Sequence, residues 1–424
     1  MATPLGLSSY HRAQSLGDGA FGAVVAVYDD DGSQFALKSF DEAESDAEDE
    51  SMDLGLIREV SALRLLMAPS LAHRGVMPLR DITVVGGVVS LVMPMYPMNI
   101  GKAIETKAVG SRPEKIRVAF ELLSALAFLH DNGVIHRDIK PDNIMMDDGL
   151  SPVLIDFSLA KQLSPSELLT AATHSGNVGT ACYISPECYA SEPYAAECDS
   201  YSAGVVLLEL FRGERLSCER DKAALALVQR LVSELPSNPF PDLLRGLLEP
   251  AGAARLTCRA ALSEPLFAKN DLRPPPVSAG VAAALAWVHP AAADENAAPA
   301  PVGKKRAGAA KGPSEQQLSK CCGALGVERA QTVAAARAYA AASPSTPVQY
   351  CALLACKVYE EELMEFEDSE EAIEGAGIEC EAGAYAEAEL EVLRAMNFCL
   401  FVPVVEGGAE ADEGSKRKKK KGKK

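Results

Sequence analysis

Residues 136–143, His-Arg-Asp-Ile-Lys-Pro-Asp-Asn, carry three side chains that could together transfer a phosphoryl group. Asp138 could accept the proton of an attacking hydroxyl, and Lys140 could neutralise the transferred phosphate. Asn143 could hold a Mg²⁺ ion that bridges the phosphates of a nucleotide. Taken alone, His-Arg-Asp is a weak signal, because a purely structural ion pair in a loop also explains it. The rest of the chain must therefore supply the other groups that this chemistry needs.

The segment resembles the catalytic loop of eukaryotic protein kinases, and the lysine two residues after the aspartate is the form found in serine/threonine kinases. The resemblance implies that Asp138 is the catalytic base and that Lys140 assists it. It also implies that ATP and Mg²⁺ are the cofactors, and that proteins with a Ser or Thr acceptor are the substrates.

A glycine-rich segment at residues 17–24 matches the kinase loop in which backbone N–H groups approach the ATP phosphates. A Rossmann loop has similar glycines, but there a helix follows at once, whereas here a β-rich run follows. Lys38 would contact the α and β phosphates, and Glu59 is its expected ion-pair partner. The resemblance implies an ATP-binding set of Leu16, Gly17, Gly19, Gly22, Val24, Ala36, Lys38, Met93, Met95 and Met145.

Residues 156–158, Asp-Phe-Ser, match the Asp-Phe-Gly metal segment of the family, with Asp156 as a Mg²⁺ ligand alongside Asn143. Serine in the third position has less backbone freedom than glycine but removes no ligand. This departure keeps an alternative open, namely a weakly active or inactive pseudokinase that serves as a scaffold. Against it, all five groups that phosphotransfer requires are present: Lys38, Glu59, Asp138, Asn143 and Asp156.

The apolar spacing predicts an α+β fold, with a β-rich region followed by a mainly helical one. Every principal motif between about residues 10 and 270 occurs in family order, so the resemblance implies the bilobal architecture of a protein kinase. A small β-rich lobe (about 10–96) would carry one regulatory helix, and a larger, mainly helical lobe (about 97–270) would follow. The kinase domain would thus occupy residues 1–275. Arg255 is expected to pair with Glu187. An Ala/Pro-rich linker is predicted at 276–313.

The predicted regulatory helix, with Ile57, Arg58 and Glu59, resembles that of cyclin-dependent kinases, in which the isoleucine faces a cyclin. The resemblance implies that Arg58, Arg137 and Lys161 surround a phosphate on Ser175 or Thr173 in the activation loop. Alternatively, these cations pair with local carboxylates. Residues 182–185, Cys-Tyr-Ile-Ser, replace the family's Trp-Tyr-Arg-Ala, which puts proline-directed specificity in doubt.

Four further helical patterns predict an all-α domain at residues 314–406, which resembles a single cyclin box. Lys357 and Glu389 match the pair through which cyclins bind the kinase near its regulatory helix. An unrelated helical bundle is the alternative. If the domain is cyclin-like, it could act on this chain in cis, or it could dock a separate kinase or substrate.

Composition indicates a globular, intracellular protein located in the nucleus, the cytoplasm or both. No apolar run is long enough for a membrane span. The eleven cysteines are scattered and odd in number, which predicts reduced thiols. The net charge of −18 includes +8 from the last nine residues, within a basic tail (407–424) predicted to be disordered. The tail could be a nuclear-import signal, and the acidic remainder argues against specific nucleic-acid binding.

Overall fold

The structure is a computed structural model. It describes residues 10–19, 22–40, 54–68, 71–85, 88–162, 181–216, 221–277, 315–325, 330–343, 346–359, 382–396 and 400. Most of the predicted linker and all of the predicted basic tail lie outside this set. No helix among the described residues has the length and apolar character needed to cross a bilayer.

The first part of the chain is an antiparallel sheet of five strands in the order β1-β2-β3-β5-β4. The strands are β1 (Tyr10–Gly19), β2 (Gly22–Asp29), β3 (Gln34–Ser39), β4 (Asp81–Val85) and β5 (Val88–Pro94).

Helix α1 (Leu54–Leu66) lies between β3 and β4 in the chain, and ten of its thirteen residues are buried. A surface helix buries one stripe and exposes the rest, so burial around most of its circumference means that α1 is covered on more than one side. The polar side chains of Glu59 and Ser61 are buried with the apolar ones.

The second part is mainly helical and is built around α3 (Arg112–Asp131) and α5 (Glu197–Arg212). A capping box between Ser111 and Glu114 begins α3, and Gly213 with φ +76° ends α5. The other helices are α2 (Ile100–Glu105), α4 (Pro186–Tyr189), α6 (Asp221–Ser233), α7 (Pro239–Leu247), α8 (Cys258–Ala261) and α9 (Pro265–Ala268).

Short strands bring the predicted catalytic segments together. Strand β7 (Val134–Ile135) pairs with β10 (Lys161–Gln162), while β6 (Met98–Asn99), β8 (Ile144–Met146) and β9 (Pro152–Leu154) form a three-stranded sheet. The loop at 136–143 is thus held by β7 at one end and β8 at the other.

Toward its C-terminus the chain forms α10 (Glu315–Ala324), α11 (Ala330–Ala342), α12 (Val348–Tyr359) and α13 (Ala382–Ala395). Helix α12 packs against α10, α11, α13 and also against α1. The C-terminal helices therefore cover one side of α1.

The predicted bilobal α+β arrangement, a sheet-rich region followed by a helical region, is confirmed. The cyclin likeness of the C-terminal helices and the predicted domain limits stay predictions. The expectation of reduced thiols is met by seven described cysteines, which are free and buried, but it is wrong for Cys182, which is disulfide-bonded.

Candidate active site

Lys38 stands at the centre of the candidate site, on β3, where it lies opposite Val24 of β2. Its Nζ lies 2.6 Å from Glu59 Oε2 on α1 and 3.2 Å from Asp156 Oδ1 in the loop after β9. Both Lys38 and Glu59 are buried. Three separate segments therefore converge on one ammonium group.

The Lys38 ammonium attracts both carboxylates beside it, and this attraction favours the charged forms of Lys38 and Asp156. Burial alone would lower the pKa of Lys38, but the charges of Glu59 and Asp156 raise it above its usual value. Burial alone would raise the pKa of Asp156, yet the charge of Lys38, helped by the Ser158 hydroxyl, holds it below its usual value. At neutral pH the site thus presents an ammonium group beside a carboxylate that can bind a cation.

The catalytic-loop residues form a second cluster around Asp138. Lys140 Nζ lies 2.6 Å from Asp138 Oδ2, and Asn143 Nδ2 donates to the same oxygen at 2.8 Å and to the Asp138 carbonyl at 2.9 Å. A 3₁₀ turn over Pro141–Asn143 brings Asn143 back toward Asp138. The Asp138 carboxylate is therefore fixed by two donors.

Asn143 and Asp156 offer oxygen ligands that fit Mg²⁺, which prefers carboxylate and carbonyl oxygens. Because the Asn143 amide nitrogen is engaged by Asp138, its carboxamide oxygen is available as a ligand. The Asn143 carbonyl accepts from Ile155 N at 3.0 Å, which ties the two metal-ligand segments together.

Asp199, at the start of α5, binds the backbone of the catalytic loop. Its carboxylate accepts the backbone N–H groups of His136 and Arg137, each at 2.8 Å, and contacts His130 Nε2 at 2.9 Å. Arg137 has a left-handed backbone with φ +68°. Sequence reasoning missed His130, since one histidine near a helix end carries no distinctive pattern.

The predicted ATP-binding side chains lie along the sheet and the floor beneath it. Strand register places Val24 opposite Lys38 and Ala36 opposite Met93, while Gly17 and Gly19 pair with Val24 and Gly22. Leu16 is exposed on β1. Met95 follows β5, and Met145 lies on β8. The role of these residues in ATP binding stays a prediction.

The three predicted phosphate-holding cations lie on adjoining segments. Lys161 pairs in register with Ile135, two residues before Arg137, and α1, which carries Arg58, packs against the same short strand. Arg137 donates to the Leu159 carbonyl at 2.7 Å and to Tyr194 OH at 3.3 Å. The candidate phosphosites Thr173 and Ser175 lie outside the described residues, so the phosphate itself stays a prediction.

The predicted pair of Arg255 with Glu187 is confirmed. The guanidinium binds both carboxylate oxygens, at 2.5 and 2.8 Å, and also donates to three backbone carbonyls. It fixes the segment after residue 181 to the helical part of the chain.

At the predicted cyclin-like interface, Ile57 on α1 and Glu389 on α13 are both buried. Lys357 lies on α12, but its side chain is outside the described set. The contact is made by three residues outside the predicted interface set: Leu400 N donates to Ser61 Oγ at 3.0 Å, and Tyr339 OH donates to the Leu400 carbonyl at 2.6 Å. Both backbone polar groups of Leu400 are thereby bound.

The matches to known proteins cover the region that contains this site. A family model for the protein kinase domain matches residues 10–267. Cyclin-dependent kinase 4 of Ovis aries is 30% identical over 257 residues, which cover 58% of this chain and 82% of that protein. Cyclin-dependent kinase-like 5 of Mus musculus is 28% identical over 226 residues, which cover 53% of this chain. The chain spans only 23% of the length of that second relative.

Proposed function

The chain belongs to the protein kinase family, and from this premise we propose that it is an ATP-dependent serine/threonine kinase of the cyclin-dependent-kinase-like type. It would transfer the γ-phosphoryl group of ATP to Ser or Thr side chains of proteins. The observation that carries the proposal is the convergence of Lys38, Glu59 and Asp156 next to the Asp138 cluster.

Under this proposal each group has a role. Asp138 takes the proton of the substrate hydroxyl as its oxygen forms the new bond to the γ-phosphorus, and the bond to the β-phosphate oxygen breaks to release ADP. Lys140, 2.6 Å from the base, neutralises negative charge on the phosphoryl oxygens. Lys38 orients the α and β phosphates. Asn143 and Asp156 would hold Mg²⁺, which supplies charge neutralisation between the phosphates.

The selection of Ser and Thr acceptors is supported by Lys140, which follows the base by two residues as in serine/threonine kinases. The match to cyclin-dependent kinase 4 covers most of the length of that relative.

The experiment is phosphorylation of a peptide library with Ser, Thr and Tyr acceptors by the full chain and by its Asp138→Asn variant. Because the variant lacks the base, we expect its rate to be lower by at least about 100-fold with nucleotide binding retained. An equal rate for both proteins would contradict the kinase proposal and favour the scaffold alternative. A preference for tyrosine peptides would contradict the Ser/Thr assignment.

We further propose that residues 314–406 are a cyclin-like domain that stabilises α1, and with it the Lys38–Glu59 pair, in cis. The support is the chain of contacts from Tyr339 through the backbone C=O and N–H of Leu400 to Ser61, two residues from Glu59. Ser61 is fully buried, and its hydroxyl accepts the Leu400 N–H, which links α1 to the C-terminal segment.

Substitution of Ser61 by Ala tests this second proposal in the full chain. Loss of one buried hydrogen bond, about 0.5–1.5 kcal/mol, should lower kcat/KM for ATP by about two- to twelvefold. Tyr339→Phe should have a similar effect, and the double variant should lose less than the two single effects combined, because both residues bind the backbone of Leu400.

Ser124→Ala is the matched control, since this buried helical serine bonds only the Phe120 carbonyl of its own helix. Its kcat/KM should equal the wild-type value. Wild-type kinetics in both Ser61→Ala and Tyr339→Phe would contradict cis stabilisation while leaving the kinase proposal intact.

A further inference from the structure

The segment that carries the metal-ligand carboxylate has an unfavourable backbone conformation. Asp156 has φ +61°, in the left-handed region that non-glycine residues rarely adopt. Such a conformation persists only where the surroundings enforce it. The neighbours of Asp156 must therefore determine whether the carboxylate stays at the site.

Several contacts hold the segment from the front and from below. Asp156 is paired with Lys38 at 3.2 Å. Phe157 is fully buried, and its ring centroid lies 4.9 Å from that of His136. Ala160 N donates to the Phe157 carbonyl at 2.9 Å, which closes a turn directly after the aromatic residue.

Ser158 occupies the next position and is 1% exposed. It is absent from the described non-glycine residues with positive φ, so its L-configured side chain fits this conformation without left-handed strain. A glycine here could also adopt positive φ, which gives the segment additional conformations. A β-carbon at this position excludes most of them.

The Ser158 hydroxyl does not hold the segment in place. Its Oγ is buried and has no hydrogen bond to any described residue. The β-carbon is therefore the part of this side chain that restricts the backbone.

We propose that Ser158 is a positioning residue that keeps the 156–158 segment in the conformation that presents Asp156 beside Lys38, by excluding the backbone states open to glycine. Only the expected effect of this positioning on catalysis rests on the proposed kinase function. The conformational claim itself concerns the protein without nucleotide or metal.

Two substitutions separate the backbone from the hydroxyl. Ser158→Gly removes both the β-carbon and the hydroxyl, whereas Ser158→Ala removes only the hydroxyl. We would measure amide hydrogen exchange of residues 155–160 in the metal-free full chain. Because glycine in place of a β-carbon residue enlarges the open ensemble, exchange should be about two- to fivefold faster in Ser158→Gly. Ser158→Ala should exchange at the wild-type rate.

Ser124→Gly is the control for a general loss of stability, because it weakens α3 without touching this segment. It should leave exchange at 155–160 unchanged. In the catalytic assay, the Mg²⁺ concentration for half-maximal rate should rise by about the same two- to fivefold factor in Ser158→Gly only.

Equal exchange in Ser158→Gly and wild type would overturn the proposal. Equal acceleration in the Gly and Ala variants would also overturn it, since the hydroxyl and not the backbone would then be responsible. If Asp138→Asn were as active as wild type, the kinase proposal would fail, but the exchange experiment would still decide the role of Ser158.

Discussion

Lys38 shows how strongly the site depends on a few charges. Its ammonium group is buried between two carboxylates, one on a helix and one in a loop. A buried charge is tolerated only when it is paired, so the loss of either partner affects both the charge state and the position of the lysine.

Glu59→Gln should therefore lower kcat/KM for ATP by at least about tenfold, or 1.4 kcal/mol. The neutral amide keeps the shape of the side chain but no longer supports the charge of Lys38, whose pKa should fall. The measurement is steady-state kinetics at several ATP concentrations.

The matched control is Glu121→Gln. Glu121 pairs with two arginines, Arg74 and Arg117, far from the reacting groups, and Arg74 is mostly exposed. Such ion pairs contribute at most about 1 kcal/mol to stability. A kinetic loss as large in Glu121→Gln as in Glu59→Gln would show that the effect of Glu59 is not specific to Lys38.

Much of the active site was predictable at the level of residues, because its groups belong to short local motifs. Lys38, Asp138, Asn143 and Asp156 follow from neighbouring sequence. The left-handed backbone of Asp156 could not be predicted from neighbouring sequence, because φ at this residue depends on the packing of Phe157 and on the pairing of Asp156 with Lys38.

At the scale of elements, the junction of α3, α5 and the catalytic loop is organised by one buried pair. His130 at the end of α3 contacts the Asp199 carboxylate, which also accepts two backbone N–H groups of the loop. Burial would lower the pKa of His130, but Asp199 and the neighbouring Cys258 raise it to about 10. Helix packing and loop position thus depend on one protonated imidazole.

This raised pKa makes a signed prediction about stability. A group whose pKa is higher in the folded state stabilises the fold fully below its unfolded value, near 6.5, and that contribution is lost as the pH rises through about 10. Urea unfolding between these limits should show wild-type stability decreasing by at most about 1.4 kcal/mol per pH unit.

His130→Gln should be less stable at pH 6.5 and should show a smaller decrease across the same range. Parallel slopes for the two proteins would mean that His130 does not titrate in this window.

The positions of the elements were partly predictable as well. Periodicity located the helix that carries Glu59 between the strands, and α1 spans Leu54–Leu66. The burial of both sides of α1 could not be read from its sequence, because apolar residues all around a helix do not identify what covers each face. The contact of Ser61 with Leu400 joins residues 339 positions apart and leaves no local pattern.

At the scale of the whole molecule, the central question is whether the C-terminal helices act on their own chain or on another. A contact within one chain has an effective concentration set by the connecting segment, which can reach the millimolar range. A contact between chains depends on the concentration of protein.

Catalytic activity per molecule should therefore stay constant when the full chain is diluted on the order of a thousandfold below micromolar concentration. The measurement is an initial rate normalised to enzyme concentration, with Ser61→Ala diluted in parallel as a reference for the weakened contact. A normalised rate that falls with dilution would show that the contact forms between molecules.

The contact between Ser61 and Leu400 also sets an order of events during synthesis. Ser61 leaves the ribosome 339 residues before Leu400, and at about 5–20 residues per second this interval lasts on the order of 20 to 70 s. Throughout that time α1 exists without the C-terminal helices that pack against it. A nascent chain therefore emerges with this side of α1 uncovered, and translation must pass Leu400 before the helix gains its partner.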